Sequence, residues 1–273
     1  MSRTPFYKMS GSGNDFIMLD GRQSPVAHWS AGRIRAVCDR RMGVGADGLV
    51  ILAGEGADVV RMHFWNCDGS PADMCGNAAL CTTRLAATLG LGQPEGMTLV
   101  TGAGRFRTRT EAGPDQAALN LPPVQLPTEV PGISLAAGER SLHLCTVGVP
   151  HLVVEVEDLE GFDLIARGRD LRHHPALGPA GANANFVALP ADDGPIGIRT
   201  YERGVEGETL ACGTGTVAAG IVLAMAGRRS LPAEFRTRSG RPLRVAARLT
   251  ELQAVDLWLG GEGRLVFQGE LPS

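Results

Sequence analysis

The sequence predicts an α/β protein, of the α+β type, built from two similar domains. Three observations carry this: the length of the chain, a unit that occurs twice in it, and a proline-rich stretch between the copies. At 273 residues the chain exceeds one domain of the usual ~150 residues, which favours two domains or one large α/β unit. With 44% hydrophobic and 20% charged residues it holds enough apolar material to bury a core and is not disordered.

The first copy of the unit reads Arg61-Met-His-Phe-Trp-Asn-Cys-Asp-Gly-Ser-Pro-Ala-Asp-Met-Cys75-Gly76, and the second reads Arg199-Thr-Tyr-Glu-Arg-Gly-Val-Glu-Gly-Glu-Thr-Leu-Ala-Cys212-Gly213. Each opens on a short strand pattern containing an aromatic, passes through a loop rich in Gly and acidic residues, and ends in Cys-Gly. An Ala- and Leu-rich segment with apolar residues at helical spacing follows in each. It stops at Gly90 and at Gly227, each fifteen residues after its cysteine and each a helix-stop signal. Alternating strands about a Gly turn come next, over Leu99–Thr110 and Glu234–Ala246. Between the copies, the proline-rich stretch Leu121–Pro131 reads as a linker. The expected domains are therefore 1–118, carrying Cys75, and 119–262, carrying Cys212, with 263–273 as a last strand that could return to the first domain.

Composition removes several function classes. A net charge of −3 with mixed signs lacks the basic face of a nucleic-acid binder. No apolar run reaches the ~18 residues of a membrane helix, and the N-terminus has no signal-like apolar region, so a cytoplasmic protein without membrane partners is expected. The single lysine, Lys8, sits in neither a pyridoxal-phosphate nor a P-loop context. The six cysteines show no Cys-x-x-Cys and no paired Cys/His spacing, so no metal is expected. Gly43-Val-Gly-Ala-Asp-Gly48 matches G-x-G-x-x-G but precedes an apolar strand, which makes it a turn. His28, His63, His143, His173 and His174 read as structural or solvated.

Cys38, Cys81 and Cys145 read as small buried hydrophobes. Cys75 and Cys212 differ, because each falls at the start of a predicted helix. Unsatisfied N–H groups and the helix dipole favour negative charge there, which depresses a thiol's pKa and also suits a carboxylate. Two such thiols on opposite faces of a small ligand suit stereoinversion, one removing an α-proton and the other delivering one. His151, between Gly148-Val-Pro150 and an apolar run, is placed to share a proton with a thiol. A dithiol redox protein is the alternative from another class.

These residues resemble the diaminopimelate epimerases, a cofactor-independent family, over essentially the whole chain. The resemblance rests on Gly11-Ser-Gly-Asn14-Asp-Phe16, Gly45-Ala-Asp-Gly48, Asn66 through Asn77, Gly148-Val-Pro-His151, Asn183-Ala-Asn-Phe186 and Tyr201 through Gly215. It implies two pseudo-symmetric domains, each a mixed, mostly antiparallel sheet wrapped around a central helix. It further implies interconversion of LL- and meso-2,6-diaminopimelate without cofactor, and a homodimer. By the same resemblance Cys75 and Cys212 are the acid/base pair, and His151 and Glu202 assist them. Asn14, Asn66, Gly76, Asn77, Asn183, Arg203, Gly213 and Thr214 bind substrate. Arg203 suits a distal carboxylate as a fork donor, which argues for a substrate with a second charged end over another amino acid. Asn66 and Arg203 both lie nine residues before their cysteine. Val149, Ala78, Leu80 and Cys67 depart from the family's usual residues.

Overall fold

The computed structural model describes residues 3–272. They form two compact units: residues up to Asn120 together with those from Gly260 onward, and residues Leu121–Leu259.

In the first unit the chain makes β1 (Thr4–Gly11), β2 (Asn14–Asp20), α1 (Ala31–Cys38), β3 (Gly48–Gly54), β4 (Val59–Asn66), the short β5 (Pro71–Ala72), α2 (Gly76–Thr88), β6 (Met97–Thr101), β7 (Gly104–Thr110) and β8 (Gln116–Leu121). Strands β2 and β3 run parallel, Phe16 level with Gly48 and Asp20 with Leu52. Their apolar runs Phe16–Leu19 and Leu49–Leu52 are buried throughout, the pattern of strands covered on both faces. The other neighbours, β1·β2, β3·β4, β6·β7 and β7·β8, are antiparallel, while β4·β6 is parallel.

The second unit contains β9 (Val124–Gln125), β10 (Glu139–Val147), β11 (Val149–Val156), α3 (Leu164–Arg172), β12 (Asn183–Ala188), β13 (Ile196–Glu202), β14 (Gly207–Thr209), α4 (Gly213–Met225), β15 (Ala233–Arg236), β16 (Pro242–Leu249) and most of β17 (Gln253–Glu262). Its pairings repeat the first unit's in direction and order. Strands β10·β11 are antiparallel, β11·β12 parallel, β12·β13 antiparallel, β13·β15 parallel and β15·β16 antiparallel. The duplication thus includes the lead-in strands and the connecting helices α1 and α3, well beyond the segment whose sequence repeats. The last strand, β18 (Arg264–Leu271), pairs antiparallel with β1. The proline-rich stretch belongs to the second unit: Val124 and Gln125 pair with β17, and Val124 lies in that unit's core.

Each unit wraps its sheet around one helix. Helix α2 packs on β1, β2, β3, β4, β6 and β7, and α4 packs on β10, β11, β12 and β16. Both are apolar nearly all round, as a central helix must be, with Asn77–Thr83 buried in α2 and Gly215–Leu223 in α4. Their small residues let strands approach closely. The hydroxyls of Thr82, Thr83 and Thr216 are satisfied within the helix, each donating to the carbonyl four residues back at 2.8 Å. Both helices end in a Schellman motif. Gly90 and Gly227 each take φ 66°, and the N–H groups of Leu91 and Arg228 reach the carbonyls of Ala86 and Leu223, both at 2.9 Å.

Candidate active site

In each unit the loop after the aromatic strand delivers a cysteine to the N-cap of the central helix. Cys75 caps α2 with φ −144° and ψ 124°, and Cys212 caps α4 with φ −126° and ψ 108°. Neither helix receives a side-chain cap, so the first-turn N–H groups remain for an anion. By contrast α1 is capped by Ser30, which accepts from the Arg33 N–H, and α3 by Asp163, which accepts from the Ala166 N–H. No acidic residue occupies the first turn of α2 or α4 to compete for the positive end of the dipole.

In the first unit Cys75 is partly exposed, and Asn77 two residues on is buried. Asn77 Nδ2 donates to Asn14 Oδ1 at 2.7 Å, and Asn14 Nδ2 donates to Asp47 Oδ2 at 3.0 Å. Asp47 also accepts from Arg40 at 2.7 Å, and Arg40 bridges to Asp15. Asp15 pairs with Lys8 at 2.7 Å, and Lys8 also donates to the Gly45 carbonyl. Burial by itself would push the Asp15 carboxyl up, but hydrogen bonds from Arg40 and Lys8 hold it down at about 2. The chain's one lysine is therefore a buried structural cation. Asn66, at the end of β4, is exposed and donates from Nδ2 to Ser70 Oγ at 3.1 Å.

The second unit gathers a different set. His151 on β11 is fully buried and lies level with Asn183 on β12. Burial, with the Arg203 charge nearby, pushes His151 down to about 3, so its ring is neutral at working pH. Asn183 Oδ1 accepts the Arg203 backbone N–H at 2.8 Å, which fixes the turn that carries Arg203. Burial raises Glu202 above the usual carboxylate range, with the Thr209 side chain pulling it part-way back. Cys212 is buried, and its Sγ lies 3.8 Å from the Thr214 hydroxyl. The predicted residues thus fall into two groups, Asn14, Asn66, Cys75, Gly76 and Asn77 in one unit, and His151, Asn183, Glu202, Arg203, Cys212, Gly213 and Thr214 in the other.

Burial pushes Cys38 and Cys145 up to about 12, and Cys81 well up, so these thiols stay protonated. Ala78 and Leu80 are fully buried in α2, while Cys67 is exposed. Among the described residues no group of three or more His, Cys, Asp or Glu is placed to hold a metal, and no helix is long and apolar enough to cross a membrane.

The sequence of the diaminopimelate epimerase family matches residues 6–119 and 143–248. The chain belongs to the diaminopimelate epimerase family. It is accordingly an isomerase. A relative from Gemmatimonas aurantiaca named diaminopimelate epimerase is 44% identical, covering 97% of this chain and 98% of its own. One of the same name from Chlorobaculum tepidum is 37% identical over 96% and 99%. Among solved structures, a PhzF-family phenazine biosynthesis protein from Bacillus anthracis matches with a TM-score of 0.74 at 14% identity, covering 100% of both chains. A hydroxyproline epimerase from Agrobacterium vitis matches at TM-score 0.67 and 19% identity, covering 99% and 91%. At those identities the likeness is one of fold.

The sequence singles out Lys8 only as sitting outside two cofactor contexts, and it does not single out Asp15, Arg40, Asp47 or Asn185 individually. For Asn185 a signal was present: Asn183 and Asn185 are polar residues on one face of an otherwise apolar strand, and buried amides need partners.

Proposed function

We propose that this chain interconverts LL- and meso-2,6-diaminopimelate, with Cys75 and Cys212 as its two acid/base groups. The observation that carries this is the matched pair of cysteine N-caps on otherwise uncapped central helices, in a chain whose relatives carry that activity in their names. In the forward step the thiolate of one cysteine takes the α-proton, and the C–H electron pair stays on the α-carbon and its carboxylate. The thiol of the other cysteine then delivers a proton to the opposite face. One thiol ends protonated and the other as thiolate, so the reverse reaction starts from the exchanged state and no redox partner is needed.

The carboxylate next to the reacting carbon gains charge as the proton leaves. The N–H groups of Gly76–Asn77 and Gly213–Thr214, at the positive ends of α2 and α4, are suited to hold it. Glu202 and His151 assist the thiols. Arg203 takes the distal carboxylate as a charge-assisted fork, and Asn14, Asn66 and Asn183 supply the remaining polar contacts. Asn14 Oδ1 already accepts from Asn77 but retains a second lone pair for an ammonium. Lys8 is tied to Asp15 and Gly45, which supports a route that forms no Schiff base. The same reading takes the enzyme to be a cytoplasmic homodimer, and light scattering of the purified protein tests its dimeric state.

The deciding experiment is proton NMR of the reduced protein with LL-diaminopimelate in deuterated water without added cofactor. Loss of the α-proton signal with appearance of the meso isomer is expected. Intact α-protons, with the thiols titrating as reduced, would refute the substrate assignment.

A further inference from the structure

The second unit contains a buried hydrogen-bond relay whose polarity is fixed at one end. The Leu152 carbonyl can only accept, so the Asn185 atom 2.9 Å from it is the amide nitrogen. The other side of the amide is then the oxygen, which accepts from the Thr200 hydroxyl at 2.9 Å. The second hydrogen on Asn185 Nδ2 meets His151 Nδ1 at 3.3 Å. Nδ1 must therefore accept, and it carries no proton. His151 and Asn185 are both fully buried, and Thr200 is nearly so. A neutral ring with a bare Nδ1 holds its hydrogen on Nε2. That atom is buried and has no hydrogen-bond partner among the described residues, although a buried N–H rarely goes unsatisfied.

We infer that Asn185 is a positioning residue that locks His151 in its Nε2–H tautomer, so that the ring offers the reaction a neutral proton donor and no lone pair. The inference rests on the proposed part of His151 in the thiol chemistry. A donor stabilises a thiolate by hydrogen-bonding to its charged form. The opposite tautomer would present an acceptor and favour the protonated thiol instead. Asn185 thus decides which form of the thiol the histidine supports, without touching substrate itself.

The backbone is shaped to keep the amide there. Gly215, in the first turn of α4, lies against it, and a Cβ at that position would collide with Asn185 Oδ1 and sit 3.2 Å from Cys212 Sγ. A single glycine therefore seats the Asn185 amide against the helix start that carries Cys212. The strand pairing fixes the rest: Asn185 lies level with Val153 on β11 and with Thr200 on β13.

The test is nitrogen NMR of the full-length protein labelled with 15N-histidine, with the His151 resonances identified through His151→Gln. In the wild type Nδ1 should appear as an unprotonated, downfield nitrogen and Nε2 as a protonated, upfield one. A protonated Nδ1 in the wild type would overturn the inference outright. Asn185→Asp keeps the shape of the side chain but replaces the donor with an acceptor, so Nδ1 should become protonated. If Nδ1 stays bare in that variant, something other than Asn185 sets the tautomer. The same substitution should lower kcat for diaminopimelate by about tenfold or more with little change in KM, and an unchanged kcat would show that the tautomer does not serve the reaction. A wild type that turns over no diaminopimelate while showing the Nε2–H tautomer would strike the proposed substrate and leave the lock standing.

Discussion

The two units share a scaffold and differ in what surrounds the cysteine. In each, the same order and direction of strands encloses one helix that starts on an uncapped cysteine and ends on a glycine at φ 66°. Around Cys75 the polar groups form an ion network, Lys8–Asp15–Arg40–Asp47, that anchors Asn14 and, through it, Asn77. The second unit instead holds groups whose protonation burial controls, a neutral His151 and a raised Glu202, together with the Asn185 relay. The duplicated backbone supplies a thiol at a positive helix end twice over. The first unit adds rigidity to that, and the second adds proton chemistry. A matched pair of bases does not need matched surroundings.

The largest effect should come from breaking the likeness itself. Cys75→Ala or Cys212→Ala should each reduce epimerisation by about a thousandfold or more, since general acid–base groups contribute ~10²–10⁴ and inversion needs both. Any residual solvent exchange without inversion should be confined to opposite isomers in the two variants, because each leaves a base for one face only. Deuterium incorporation into each isomer separately measures this. A single variant with wild-type inversion would end the two-base mechanism.

Acid should separate the units next. His151 is held at about 3 in the fold against an ordinary value near 6.5. Between those values the unfolded chain binds a proton that the folded one refuses, so stability falls as pH drops below about 6.5, by up to ~1.4 kcal/mol per pH unit. Asp15 works at lower pH. Its carboxyl, held at about 2, contributes stability that is full above its unfolded value near 4 and is lost as pH falls through about 2. Arg40's side chain is 59% exposed, so screening reduces that contribution to about 1–2 kcal/mol. Urea unfolding from pH 7 to 3 checks the assignment. His151→Gln should flatten the profile from about pH 6.5 down to about 3, and Asp15→Asn only below about pH 4. The reverse pattern would show that the two networks had been assigned the wrong roles.

The positions nine residues before each cysteine sharpen the contrast further. Arg203→Ala removes a charge-assisted fork and should weaken binding of meso-diaminopimelate by about 1.5–3 kcal/mol, whereas Asn66→Ala removes a neutral contact worth about 0.5–1.5 kcal/mol. Calorimetric titration of both variants compares them directly. Equal losses would mean that Arg203 does not meet the distal carboxylate.

Much of this was legible in the sequence because it is local. A cysteine before an Ala-rich helical pattern, a glycine fifteen residues later and a Gly-centred hairpin are short-range signals, and they located α2, α4 and both hairpins. The equivalence of β1–β2–α1–β3 with β10–β11–α3–β12 was not legible. It lies in strand direction and order, and the two stretches, such as Asn14–Asp20 and Val149–Val156, share little beyond being apolar. The linker reading of Leu121–Pro131 missed Val124, because prolines mark a break in regular structure without saying what the intervening apolar residues pack on. The Lys8–Asp15–Arg40–Asp47 network joins residues up to 39 apart in the chain, and no spacing rule reports such pairs. Asn185 was nearer to view, since a second amide on a buried strand face has to find partners.

The smallest effect concerns the caps, and it should show in stability and not in turnover. Ser30 and Asp163 show that this chain caps its connecting helices with oxygen side chains, while the two central helices start on sulfur and take no side-chain cap. Serine is among the best N-cap residues, and losing one to alanine costs ~0.5–2 kcal/mol. Cys75→Ser and Cys212→Ser should therefore be more stable than the matching alanine variants by about 1 kcal/mol, a difference of about 2–4 °C in Tm. Both should be inactive, because a serine hydroxyl is far harder to deprotonate than a thiol. The gap should be wider at position 212, where only 9% of the residue is exposed and water is a poorer substitute for the cap. Scanning calorimetry of the four variants measures it. If serine and alanine prove equally stable, the first-turn N–H groups are not open to the residue at the cap, and their assignment to the reacting carboxylate loses its basis.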